Sequence, residues 1–224
     1  MSRGRRKVLF CDFDGTITVQ DTIIQIMREF APPEWEKLKE EILAGRVSVR
    51  EGVGKMFSLL PVSKEEEIRN YVLHHTEIRP GFSELIRFTR EEGIRLLISS
   101  GGIDFFLYPL LVPYDIPYGD IYCNGSDFSG EKIRILWPHP CDDECHRDCG
   151  MCKTTLLRSF PQEEYERIVI GDSITDLAAA RIADRVIARD FLRIKCEEFS
   201  IPYVPFETFY DVIDYLQNTS EKAG

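Results

Sequence analysis

The hydrophobic pattern opens with a short unbroken run, Val8 to Phe10, that ends abruptly in Asp12, Asp14, Gly15 and Thr16. A β-branched and aromatic run closed by turn chemistry predicts a buried strand. The period then changes. Ile23, Ile24, Ile26 and Met27 fall on one side of a helix over 21–30, which Pro32 and Pro33 stop. Pro33 can open the next helix, over 34–43, because a first turn has no use for its missing N–H. A third helix is expected over 48–60, with Val49, Val53, Met56, Phe57 and Leu60 inward. Ser63 and Glu66 have the spacing of a capping box for a fourth, which carries Ile68, Tyr71 and Val72. Nothing from 18 to 76 alternates like a strand, so a small four-helix unit is expected directly after the first strand.

Pro80-Gly81 resets the chain. Phe82, Leu85 and Ile86 mark a helix, and Ile94 to Ile98 a second buried strand that closes at Ser99 to Gly102. A helix over 104–111 follows, then short strands over 121–124 and 132–136, read as a hairpin turning at Ser129-Gly130. Beyond the loop 138–152 come a helix over 153–160, a strand over 167–170, a helix over 177–183 and a strand over 185–188. Phe209, Val212, Ile213 and Leu216 give the last helix its apolar face, and residues 218–224 read as frayed. Strands alternating with helices predict an α/β fold, a Rossmann-like parallel sheet with right-handed crossovers. The core would be 1–17 and 78–224, with a helical cap domain over 18–77.

With 224 residues, 43% of them hydrophobic, the chain can form one large domain or a domain with an insertion. A net charge of −10 argues against a nucleic-acid partner. Arg3, Arg5, Arg6 and Lys7 read as a solvated basic tail. No apolar run reaches membrane-spanning length, and the first is broken too early by Asp12 to serve as an export signal. A cytoplasmic protein without a membrane partner is therefore expected. In a reducing compartment, seven cysteines favour thiols or a metal over a disulfide framework. Cys141, Cys145, Cys149 and Cys152 cluster, with His139 and His146 nearby. They could hold a structural Zn²⁺, remain thiols or form a disulfide, and in each case would help fix Lys153. Cys11, Cys123 and Cys196 read as small buried apolar residues.

Four polar signatures follow strands or open a helix: Asp12 with Asp14, Ser100-Gly101-Gly102, Lys153, and Asp172 to Asp176. Each has a plainer reading alone. Ser100 could cap a helix, Lys153 could be a surface lysine, and Asp176 could be a first-turn acid. Ligands of an open α/β sheet bind beyond the carboxyl ends of its strands, so all four are expected in one crevice. Two aspartates at the end of a buried strand also need a counter-charge, for which a divalent cation is suited.

In this order, D-F-D-G-T, a serine after an apolar strand, a lysine and G-D-S-x-T-D resemble the haloacid dehalogenase superfamily of phosphatases. The resemblance implies Asp12 as nucleophile, giving a phosphoaspartyl intermediate, and Asp14 as general acid and base. It implies Mg²⁺ held by the Asp12 carboxylate, the Asp14 main-chain oxygen and the Asp172 carboxylate. Asp176 would orient that shell or hold Lys153. Lys153, the Ser100 hydroxyl and the Gly101 N–H would stabilise the transferring phosphoryl group.

Within the superfamily the chain resembles the phosphoserine phosphatase branch. Asp21 falls where that branch carries a glutamate, and Met56 near its carboxylate-binding arginine, a departure that points to a substrate with an apolar or thioether end. F-A-P-P-E-W, E-G-V-G-K-M-F-S-L-L-P, S-G-G-I-D-F-F-L-Y-P, I-Y-C-N, W-P-H-P-C and C-G-M-C-K resemble phosphatases of methionine salvage. That implies a small phosphorylated methylthio metabolite, with Met56 or Phe57 beside its tail, and a monomer or homodimer. The alternatives are another small phosphomonoester such as phosphoserine or phosphocholine, or a non-catalytic zinc-binding interaction module. A receiver domain phosphorylated on aspartate fits less well, lacking both Asp14 and the helical insertion.

Overall fold

The computed structural model describes residues 4–221. Its strands are β1 (Arg6–Cys11), β2 (Arg95–Ile103), β3 (Ile121–Asp127), β4 (Arg134–Leu136), β5 (Tyr165–Gly171), β6 (Arg185–Ala188) and β7 (Val204–Pro205). The helices α1 (Thr22–Phe30), α2 (Glu34–Leu43), α3 (Val49–Phe57) and α4 (Glu65–His75) lie between β1 and β2, followed by α5 (Phe82–Glu91). The remainder are α6 (Asp104–Leu111), α7 (Lys153–Arg158), α8 (Leu177–Ala180), α9 (Asp190–Glu198) and α10 (Phe209–Glu221).

The strands form one sheet in the order β4-β3-β2-β1-β5-β6-β7, parallel except for the antiparallel β3–β4 hairpin. The central position of β1 explains its unbroken apolar run, because helices cover both its faces. Leu9 and Cys11 point into the large core, while Val8 and Phe10 pack with Leu156, Leu157 and Phe160 behind α7. The Phe10 and Phe160 rings meet edge-on with centroids 5.3 Å apart.

The inserted helices share the large core with the sheet: Met56, Phe57, Ile68 and Val72 belong to the same buried cluster as Phe105 and Phe106. The insertion is tied near its base by the Thr18–Ile78 bridge and at its far side by the Pro61–Lys132 bridge. Val62 N–H to Glu131 O at 3.0 Å and Ile133 N–H to Leu60 O at 3.0 Å extend the second tie.

Several local expectations are corrected. The Ser63–Glu66 capping box does not form; residues 62–64 make a separate short turn, and α4 begins at Glu65 without a side-chain cap. The ties to residues 131–133 dictate the chain path there. The helices α3, α7 and α8 end earlier than their apolar patterns, at Phe57, Arg158 and Ala180. Strand β2 continues through Ser99 to Ile103, and β7 and α9 were not anticipated. Helix α10 reaches Glu221, so residues 218–221 are helical; residues 222–224 and Arg3 lie outside the described residues. Arg6 and Lys7 form part of β1 rather than a tail.

Arg5 instead contributes to a buried anchor around Asp184. The Asp184 carboxylate accepts from Arg5 at 2.8 Å, Gln162 at 3.0 Å, the Arg167 N–H at 2.9 Å and the Arg167 guanidinium at 3.1 Å. Burial raises its pKa, but these donors outweigh burial and hold it at about 2. Asp184 therefore contributes stability that is fully present above its unfolded pKa, near 4, and is lost as pH falls toward 2. Because Arg5 is partly exposed, Asp184→Asn should cost only about 1–2 kcal/mol at pH 7. Urea unfolding should show the gap to the parent narrowing between pH 5 and pH 3, on the order of that shift. A gap that stays constant over this range would assign the loss to packing.

Candidate active site

The carboxyl ends of β1, β2 and β5 bring the polar signatures together. The Asp12 N–H donates to Ile170 O at 2.9 Å, extending the ladder to the residue before the turn. Phe13 to Ile17 then curl into a tight turn, closed by the Thr18 N–H on Phe13 O at 2.9 Å. Gly15 has φ +81° there, and a Cβ at this position would lie 2.4 Å from Asp172 Oδ2. A residue without a side chain is what lets the two loops meet. The Thr16 hydroxyl donates to Asp172 at 2.7 Å. Beneath the turn the buried Arg79 guanidinium donates to Thr16 O and Gly15 O, both at 2.7 Å, to Thr18 O at 3.3 Å and to Glu207 O at 3.2 Å.

Lys153, at the start of α7, joins two acids. Its ammonium lies 2.6 Å from Asp12 and 2.5 Å from Asp176. Asp176 is oriented from its other side by the Ser173 N–H and hydroxyl, each at 3.1 Å. Burial alone would lower the Lys153 pKa; Asp12 and Asp176 reverse that and hold it above its ordinary value. Asp14 turns toward the inserted helices and accepts the Thr22 N–H at 3.1 Å. Ser100 lies where the β2–β3 register shifts between Ser99 and Ile103, and its hydroxyl accepts the Gly102 N–H at 2.8 Å. A Cβ on Gly102 would fall 2.7 Å from Asp14 Oδ2, whereas one on Gly101 would meet nothing and project into open space.

The carboxylates outnumber the cations. Burial, and then the charge of Asp176, raises Asp12 to about 7 against the pull of Lys153. Burial and the Asp21 charge raise Asp14 to about 8. Burial, Asp12 and Asp176 raise Asp172 to about 9. Oxygens of Asp12, Asp172 and Asp176 lie within 4.8 Å of one another. Buried acids raised by one another mark missing positive charge, and a set of hard oxygen donors fits Mg²⁺.

Beside these groups opens a crevice of about 660 Å³. Gly101, Lys153 and Asp172 line it, with Ile42, Leu43 and Val49 from the inserted helices and Arg147, Cys149 and Met151 from the cysteine-rich loop. Met56 and Phe57 do not line it. They are 1% and 0% exposed, and Phe57 packs edge-on against Phe105, because the inward face of α3 serves the core. Asp21 is exposed and caps α1 through the Ile24 N–H at 2.9 Å. Sequence reasoning missed Arg79 and the apolar wall, and gave Thr16 no role of its own. Nothing but its position before Pro80-Gly81 marks Arg79, and Leu43 sits at the end of α2, where periodicity stops being informative.

The four clustered cysteines converge, with their sulfurs within 4.8 Å of one another. No disulfide joins them, nor Cys11, Cys123 and Cys196, which are buried as expected. No described helix is long and apolar enough to cross a membrane.

The sheet, the acid-rich strand ends and the inserted helices define the class: the chain belongs to the haloacid dehalogenase-like hydrolase family, whose model matches residues 9–181. It is 61% identical over 213 residues to a Geobacillus kaustophilus protein named 2-hydroxy-3-keto-5-methylthiopentenyl-1-phosphate phosphatase, covering 95% of this chain and 96% of that one. A Brevibacillus brevis protein of the same name is 58% identical over 220 residues, covering 98% and 99%. Among solved structures, a phospho-aspartyl intermediate analogue of phosphoserine phosphatase matches with a TM-score of 0.69 at 19% identity, over 95% of this chain and 99% of that one. A substrate-bound phosphoserine phosphatase matches with a TM-score of 0.69 at 18% identity, over 96% and 99%. At these identities the two structures share the fold.

Proposed function

We propose that the protein hydrolyses 2-hydroxy-3-keto-5-methylthiopentenyl-1-phosphate to 1,2-dihydroxy-3-keto-5-methylthiopentene and phosphate; relatives matched over nearly their full length are named as phosphatases of that ester. The observation that carries the reading is the wall of Ile42, Leu43, Val49 and Met151 facing a crevice that also exposes Lys153 and Asp172. Such a wall suits an uncharged methylthio tail while the phosphate sits among the polar groups.

An Asp12 carboxylate oxygen attacks phosphorus, and the bond to the enol oxygen breaks. Burial and the Asp21 charge favour the protonated form of Asp14, which donates its proton to that oxygen. The resulting carboxylate then takes a proton from water, whose oxygen attacks the phosphoaspartate, releasing phosphate and restoring Asp12. Lys153 favours the ionised form of Asp12 against burial and the Asp176 charge and, with Ser100 and the Gly101 N–H, stabilises the equatorial phosphoryl oxygens. Mg²⁺, when bound by the Asp12 and Asp172 carboxylates and the Asp14 main-chain oxygen, supplies the charge that these acids lack. Asp176 bonds Lys153 and so serves as its orienting partner.

The test is Mg²⁺-dependent phosphate release from the methylthiopentenyl enol phosphate, phosphoserine and phosphocholine. The enol phosphate is expected to win by a factor of about 100 in kcat/KM, and Met151→Lys should reduce that preference by about tenfold. Preference for phosphoserine would transfer the site to a substrate whose carboxylate meets the exposed Arg147.

A further inference from the structure

We propose that Cys141, Cys145, Cys149 and Cys152 form a structural Zn²⁺ site that fastens the loop leading into Lys153. The inference is independent of which phosphate ester the crevice accepts. Zn–S bonds of about 2.3 Å in a tetrahedron require S···S separations of about 3.8 Å. The Cys145 and Cys149 sulfurs are 3.8 Å apart, and the whole set lies within 4.8 Å. A disulfide would need a sulfur pair at about 2.05 Å, and none joins the four. One sulfur receives a backbone donor, and a hydroxyl lies beside another. The Cys149 N–H points at Cys141 Sγ at 3.4 Å, and the Thr154 hydroxyl lies 3.1 Å from Cys152 Sγ. Although His139 and His146 are near in sequence, neither joins this donor set. Four thiolates in tetrahedral array select Zn²⁺ over the hard cation that suits the aspartates.

The loop is held at both ends. Toward α7, Asp142 pairs with Arg158 and its N–H donates to the Thr155 hydroxyl at 3.0 Å. Toward the inserted helices, Asp148 accepts from the Ser48 hydroxyl at 2.7 Å and from Arg50 at 3.1 Å. Around these ties the loop supplies Arg147, Cys149 and Met151 to the crevice wall, and Lys153 follows Cys152 directly. A metal at the four sulfurs thus fixes the backbone of Lys153, one wall of the crevice and the seat of α3 together.

The test uses the full chain, purified without chelator from zinc-supplemented cells. Elemental analysis should find about one zinc per chain. Cys145→Ser and Cys149→Ser should lose it while Cys196→Ala keeps it. Replacement by Co²⁺ should produce a thiolate-to-cobalt charge-transfer band that both serine variants lack. Removing the metal should speed tryptic cleavage after the exposed Arg147 by about tenfold or more, without global unfolding. Folded parent protein without zinc, or with iron in its place, overturns the proposal. So does zinc that persists in both serine variants. Unchanged cleavage after metal removal would overturn the fastening role.

Discussion

Asp12→Asn should lower phosphate release by about 10⁴-fold or more with little loss of stability. The amide is isosteric but is a far poorer nucleophile. Lys153 keeps its second partner, Asp176, so the substitution does not strand the ammonium. It also removes one of the acids that raise one another. Two measurements on one preparation separate the effects: steady-state phosphate release at saturating Mg²⁺, and thermal unfolding. A variant within about tenfold of the parent rate would exclude Asp12 as the attacking group and leave water activated by Asp14 as the route. Collapse of the fold would instead give Asp12 a structural role.

Lys153→Met should damage both properties. Phosphate release is expected to fall by about 10³-fold if, as proposed, the ammonium stabilises charge on the phosphoryl oxygens. Stability should fall as well, since Asp12 and Asp176 would lose their shared cation. Breaking a buried pair in this way costs about 3–5 kcal/mol, reduced here as Asp12 takes up a proton. The signature is a stability that depends on Mg²⁺ more steeply than in the parent. Denaturant titrations across a Mg²⁺ series, run beside the activity assay, read this directly. A parent-like rate would remove Lys153 from the phosphoryl site, whereas parent-like stability with lost activity would mean that protonation alone relieves the acids.

The polar constellation was legible because strand ends compress chemistry into short stretches. Asp12 and Asp14 follow β1 directly, and Asp172 to Asp176 follow β5, so apolar runs announced both. The helical insertion was legible from periodicity and from Pro32-Pro33. The crevice wall was not, because it joins residues 42–49 to residues 147–151 through contacts that no local pattern encodes. Period analysis placed Met56 correctly on the inner face of α3, but that face reaches the crevice only at Val49, while Met56 and Phe57 are buried in the cluster that holds Phe105. Helix α9 is hidden for a related reason: it presents Phe191 and Ile194 to solvent, which blurs its apolar face. Strand β7 is only two residues long and is defined by pairing Val204 with Ile187.

The clamp of Arg79 on the carbonyls of Gly15, Thr16 and Thr18 has a consequence for any cation that reaches the turn. A guanidinium neither titrates in the working range nor diffuses away, in contrast to a bound divalent ion. It gives the turn after β1 a permanent counter-charge. The turn that carries Asp12 and Asp14 is therefore shaped by the chain itself, so a cation arriving there would meet carbonyls already held in place.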